Sequence, residues 1–187
     1  HMRYDEALPV WDALAAVGVM PFGVETYANT RRMEKSLRLQ NADLLTEYNL
    51  IESDLQRPKV KEADFRGKEA NIAHRALPHQ VAKLCTLTME ANVDSSGVKR
   101  YPVGSVPILD PETGETIVDS LGRRSFSTSM AYGPTIGKTI MLAYLPHEKA
   151  VKGNRFEIEY FGERYPVAVA GVGYEPLYDP ESLKPRS

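Results

Sequence analysis

Apolar and polar residues follow two periods along this chain, and the switch falls near residue 79. In "YDEALPVWDALAAVGVMPFG", Leu8, Trp11, Leu14 and Val17 recur at helical spacing and predict an amphipathic helix that Gly18 can end. Asp5 and Glu6 suit its first turn, and Pro9 is tolerated near its start. After the "PFG" break a second helix is predicted from Val24 to about Leu39. A third is predicted over "RGKEANIAHRA", with Asp64 as its N-cap. Each apolar stripe is expected to pack into a core.

Beyond residue 79 the period becomes two. "VAKLCTLTM" puts Val81, Lys83, Cys85, Leu87 and Met89 on one face and Ala82, Leu84, Thr86 and Thr88 on the other. "FSTSM", "FEIEY" and "YPVAVAGV" continue the alternation, and "DPETGE", "SLGR", "YGPTIG", "KGN" and "YFGER" supply turns between them. Six or so short antiparallel strands predict a small barrel over residues 81–173. Its inward face is expected to include Val81 or Leu84, Met130, Leu142, Phe156, Ile158 and Val169. The fold class is α+β, a helical segment followed by a C-terminal antiparallel β-barrel. The expected division is a cloning scar (1–2), a helical part (3–78), the barrel (79–176) and a tail (177–187).

Composition narrows the function classes. A formal net charge of -2 over 187 residues gives no global field for nucleic acid or an anionic membrane. No apolar run approaches the roughly 20 residues that a spanning helix needs, so neither partner is expected and the expected compartment is the cytoplasm. Cys85 is the single cysteine, and the four histidines lack ligand spacing, so no disulfide and no metal site is expected. His1-Met2 leads straight into a helix pattern without a signal peptide, as in a piece of a longer protein.

Two motifs are decoys. "GPTIGKT" has only three residues between its glycines where a phosphate loop needs four, and an apolar strand follows it instead of a helix. It reads as a turn. Cys85 lies mid-strand among apolar residues and reads as an inert thiol. The charge-rich "NTRRMEKSLRLQNADLLTEYNLIESDL" is more informative. On a continuous helix Arg31, Lys35 and Arg38 share a face, where Glu34 can pair with Arg31 or Arg38. Arg32 lies instead on the side of Glu25, Tyr27 and Ala28, open to a ligand or a neighbouring domain. No residue is nominated as catalytic.

Residues 23–71 resemble the folate-dependent aminomethyltransferases, the glycine cleavage T-protein family, in wording closest to the folate module of dimethylglycine and sarcosine dehydrogenases. Arg32, Glu34 and Lys35 match the family's "R-x-E-(K/A)", Asp43 its Asp, and Glu52 and Leu55 its "P-x-E-x-G-L". Asp64, Phe65, Gly67, Lys68 and Ala70 match "D-F-(I/V)-G-(K/R)-x-A-L". "STSMAYGPTIGKTIMLAYLP" and "YDPESLKPR" continue the likeness, which covers nearly all of residues 4–187. Departures are Leu50 for the proline, Asp54 for a glycine, Arg57 near a common aromatic and Arg124 for a glycine.

The resemblance implies the C-terminal part of a tetrahydrofolate-dependent one-carbon transfer protein. Residues 3–78 would then belong to a folate-binding middle subdomain, and Arg32 and Arg186 would contact the cofactor. The family's catalytic Asp belongs to the N-terminal part of the parent, the implied partner, so the chain is expected to be inactive alone. FAD is implied only if an upstream dehydrogenase domain is fused. Alternatives are a folate-dependent demethylase of a methylated sulfur or aryl-ether donor, and a non-catalytic folate-binding or assembly barrel.

Overall fold

The computed structural model describes residues 1–184. A 3-10 turn Tyr4–Glu6 leads into α1 (Ala7–Ala16). A π-helical stretch Thr26–Arg31 runs into α2 (Arg32–Glu34), and α3 spans Lys68–Arg75. The strands are β1 (Ala82–Met89), β2 (Ile108–Leu109), β3 (Ser127–Gly133), β4 (Lys138–Pro146), β5 (Arg155–Tyr160) and β6 (Glu163–Val172). They form one antiparallel sheet in the order β2-β5-β6-β1-β4-β3. The two edges then meet. Pro107 bridges Phe126, Ile108 N donates to Ser125 O at 3.0 Å, and Ser127 N donates to Val106 O at 2.8 Å. That junction curls the sheet back on itself and shields the strand edges.

Alternation along the strands builds two apolar layers. Cys85, Leu87, Met89, Met130, Met141, Ala143, Phe156, Ile158, Val167 and Val169 fill the inside of the curl. Ala82, Leu84, Ile140, Leu142 and Tyr144 form a second cluster on the outer face of β1 and β4, where Met33 of α2 packs. Leu84 and Leu142 therefore point outward, against expectation. Both faces of β1 and β4 are apolar because the helical segment covers the outer one, so period alone could not assign the inner set.

The second helix stops earlier than expected. Ser36 takes φ +53, Leu37 N donates to Arg32 O and Ser36 N to Met33 O, the paired bonds that close a helix through a left-handed residue. Arg38 consequently lies past the helix and packs over the Tyr174 ring, with no contact to Glu34. At α3 the N-cap is Gly67 at φ +84 rather than Asp64, which turns its carboxylate to the amide of Phe65. "GPTIG" is the hairpin turn between β3 and β4.

Candidate functional site

Arg32 leaves α2 towards the barrel and is buried. Its Nη1 pairs with Asp43 Oδ2 at 2.9 Å and donates to Leu37 O at 3.1 Å. Nη2 donates to Ser129 Oγ at 2.7 Å and Asn29 Oδ1 at 3.2 Å, and Nε donates to Ala28 O. All five guanidinium donors are thus taken within the protein. Asp43, at 0% exposure, also accepts from Leu39 N at 2.8 Å and from Thr128 Oγ1 at 2.5 Å. Its carbonyl receives Tyr144 OH at 2.8 Å. A charge pair removed from water is tolerable only with such full hydrogen bonding.

The other carboxylates of the motif act similarly. Glu34, 1% exposed, accepts Thr135 N at 2.7 Å, which fixes the β3–β4 turn to α2. Gly133 permits this approach, since a Cβ there would lie 3.2 Å from Glu34 Cγ and 2.6 Å from Ile140 Cδ1. Glu52 accepts Asn49 N, Ala82 N and the Arg123 guanidinium, the last at 2.7 Å. Burial disfavours charge on Arg123, but the hydrogen bonds it donates to Glu52 and Asp119 outweigh it and raise its pKa. Arg123 also covers the Tyr48 ring at 4.3 Å, and Tyr48 stacks on Tyr144 at 3.6 Å. Burial pushes the Tyr48 hydroxyl up to about 12 and raises Tyr144 as well, so neither is an acid or base near neutrality.

In front of this network lies an open cleft of about 470 Å³. Glu25, Thr26, Thr30 and Arg31 line one wall, Met130, Ala131, Tyr132 and Pro134 the floor, and Tyr101, Pro102 and Val103 the other side. Tyr101 meets Tyr132 edge to face at 5.5 Å. Asn29 Nδ2 donates to Glu25 Oε1 at 2.6 Å while its Oδ1 accepts from Arg32, so the buried pair holds the carboxylate of the cleft through one amide. Arg31 stays exposed and pairs with Glu34 Oε2 at 3.7 Å, as its spacing suggested, and is also the cation lining the cleft, while its neighbour Arg32 braces the wall from behind. A carboxylate, a cation, hydroxyls and two aromatic edges suit a flat heteroaromatic ligand with an anionic arm.

The groups that line the cleft are binding groups: a carboxylate, a cation, hydroxyls and aromatic rings. Cys85 is buried and its thiol is pushed up to about 12 by burial, as expected of an inert residue. Among the described residues no group of three or more His, Cys, Asp or Glu could hold a metal, and no helix is long and apolar enough to cross a membrane. Arg186 lies outside the described residues.

Comparison with known proteins gives a consistent picture. Residues 102–179 match the family model described as "Glycine cleavage T-protein C-terminal barrel domain". Dimethylglycine dehydrogenase of Rattus norvegicus is 28% identical over 194 residues, covering 100% of this chain and 20% of that protein. An aminomethyltransferase of Prochlorococcus marinus is 26% identical over 168 residues, covering 88% of this chain and 40% of that protein. The chain thus spans between a fifth and two-fifths of these relatives. The crystal structure of glycine cleavage system aminomethyltransferase T from Bartonella henselae superposes with a TM-score of 0.64 at 18% identity, over 81% of this chain and 38% of that one, which speaks for the fold.

Proposed function

We propose, from the premise that this chain belongs through its C-terminal barrel to the aminomethyltransferase (glycine cleavage T-protein) and dimethylglycine dehydrogenase family, that it supplies one wall of a tetrahydrofolate site in a one-carbon transfer protein. The observation that carries this reading is the α2 cleft, whose polar and aromatic lining is braced by the buried Arg32–Asp43 pair. The lining fits the cofactor: Tyr101 and Tyr132 offer ring edges, Glu25 accepts N–H donors, and Arg31 receives a carboxylate. When bound, tetrahydrofolate would supply the amine that takes up the one-carbon unit. The chain's own residues orient and hold; proton transfer falls to groups in the rest of the parent protein.

In this reading Arg32 serves the cofactor as a positioning residue acting through Asn29 and Glu25. Direct contact by Arg32 would require one of its five internal hydrogen bonds to give way. FAD belongs only to a parent with an upstream dehydrogenase part. The compartment proposed is a reducing one, the cytoplasm, or the mitochondrion named for the dimethylglycine dehydrogenase of Rattus norvegicus.

Tetrahydrofolate titrated into the parent protein tests the reading. Arg31→Ala is expected to weaken affinity about tenfold, the worth of one charged hydrogen bond. Arg164→Ala on β6 leaves it unchanged. Equal affinity in all three proteins, or no binding to the parent, overturns the folate reading and favours an assembly barrel.

A further inference from the structure

Two adjoining cavities lie beside the 50–61 segment and α3, and they share no lining residue with the α2 cleft. One, of about 300 Å³, has Leu50, Leu55, Val60 and Phe65 as its apolar lining and Arg57, Lys59 and Lys61 as cations. The other, of about 400 Å³, carries Lys83, His79 and His147, with the two imidazoles stacked at 4.7 Å. Gln56 and Arg75 line both, which makes the pair one trough.

Its charge is unbalanced. No carboxylate lines either cavity, and among the described residues Arg57, Lys59, Lys61, Arg75 and Lys83 form no ion pair. The cations at the helix–barrel junction, Arg32 and Arg123, are by contrast paired at 2.7–2.9 Å. Between the clusters the Gln56 carbonyl oxygen is buried and accepts no hydrogen bond. A buried acceptor without a donor costs free energy that a ligand N–H or O–H would recover. Two departures from the family pattern, Leu50 and Arg57, fall on this trough and neither lines the α2 cleft.

We propose that this trough is a second binding site, for a small organic oxyanion, carboxylate or phosphate, carried on an apolar body with an adjacent hydrogen-bond donor. The apolar body packs on Leu50, Leu55 and Phe65, the oxyanion meets Arg57, Arg75 and Lys83, and the donor faces Gln56. The proposal stands on geometry and charge and does not depend on folate binding elsewhere.

Calorimetric titration of the 187-residue chain tests it. N-benzoylglycine, which joins a ring, an amide N–H and a carboxylate, is the carboxylate probe, and phenyl phosphate is the phosphate probe. Saturable one-site binding of at least one is expected, and the tighter of the two identifies the headgroup. Replacing Arg57→Gln and Lys83→Gln together, one cation from each cavity, weakens that binding at least about tenfold. Neither side chain makes a hydrogen bond among the described residues, so the melting temperature stays unchanged. Arg155→Gln on β5, outside the trough, binds as the parent chain does. N-methylation of the benzoylglycine amide removes the hydrogen bond that Gln56 Oε1 accepts and weakens binding. No saturable binding of either probe, equal affinity in the double variant, or inorganic phosphate binding as tightly as phenyl phosphate overturns the proposal.

Discussion

Two helical segments near the start of this chain carry apolar residues and meet opposite fates. In α1, Leu8, Trp11 and Leu14 remain 67%, 55% and 49% exposed, whereas Met33 in α2 is 0% exposed. Periodicity does not separate them, since α1 is longer and carries the clearer stripe. The difference lies in the polar residues beside the apolar ones. Arg32 and Glu34 flank Met33 and reach Asp43, Ser129 and the turn amide of Thr135, so the polar groups lock α2 at one register on the barrel. α1 has no comparable contact: its neighbours Arg3 and Asp5 pair with each other in solvent. Hydrophobic burial supplies attraction without direction, and the buried polar partners supply the address.

Breaking the address should cost most. Asp43→Ala leaves the buried Arg32 guanidinium without its counter-charge, and a loss of about 3–5 kcal/mol is expected in urea unfolding. A loss below about 1 kcal/mol would make the pair incidental. Met33→Ala removes the apolar half of the same contact and should cost about 2–5 kcal/mol. The matching change in the other segment, Leu14→Ala, should stay within about 0.5 kcal/mol in this chain. Similar costs at both positions would erase the contrast between the two helices.

The barrel's acid sensitivity gives a smaller effect. Asp94 accepts from Ser96 Oγ and from Val98 N and pairs with Arg100, and these bonds, the Ser96 one foremost, hold its carboxyl down to about 2. A carboxyl lowered by folding contributes stability that is complete above its unfolded pKa of about 3.9 and is lost as pH falls through the folded value. Thermal melts should therefore show the parent losing stability between about pH 4 and pH 2. Asp94→Asn should be less stable at pH 6 and flatter across that window. An unchanged acid limb in the variant would assign the loss elsewhere.

Much of the fold was legible because period two is robust where one face is buried: Phe156 and Ile158 point inward with Glu157 and Glu159 turned away, as read. Leu84 and Leu142 misled because their strands are apolar on both faces. The early end of the second helix was hidden in Ser36, a left-handed residue that carries no glycine signal. Asp54 is the converse case. It stands at φ +56 where the family has glycine, and its carboxylate accepts Tyr174 N at 2.7 Å, so the departure is accommodated locally. At the candidate site the spacing-based pairing of Arg31 with Glu34 holds, at 3.7 Å, whereas Arg32, read as open to a ligand or a neighbouring domain, is buried against Asp43. Helical spacing places Arg31 and Arg32 on different faces, but which face meets the barrel depends on partners outside the helix, Asp43 in the following loop and Ser129 on β3.

The most direct test of the account is a double-mutant cycle on Arg32 and Asp43, with Arg32→Ala, Asp43→Ala and both together unfolded in urea. The account predicts a coupling of at least about 2 kcal/mol, since each single change strands a buried charge and the double change removes both. Additive losses, with a coupling below about 0.5 kcal/mol, would contradict the claim that this pair seats α2 on the barrel and shapes the cleft in front of it.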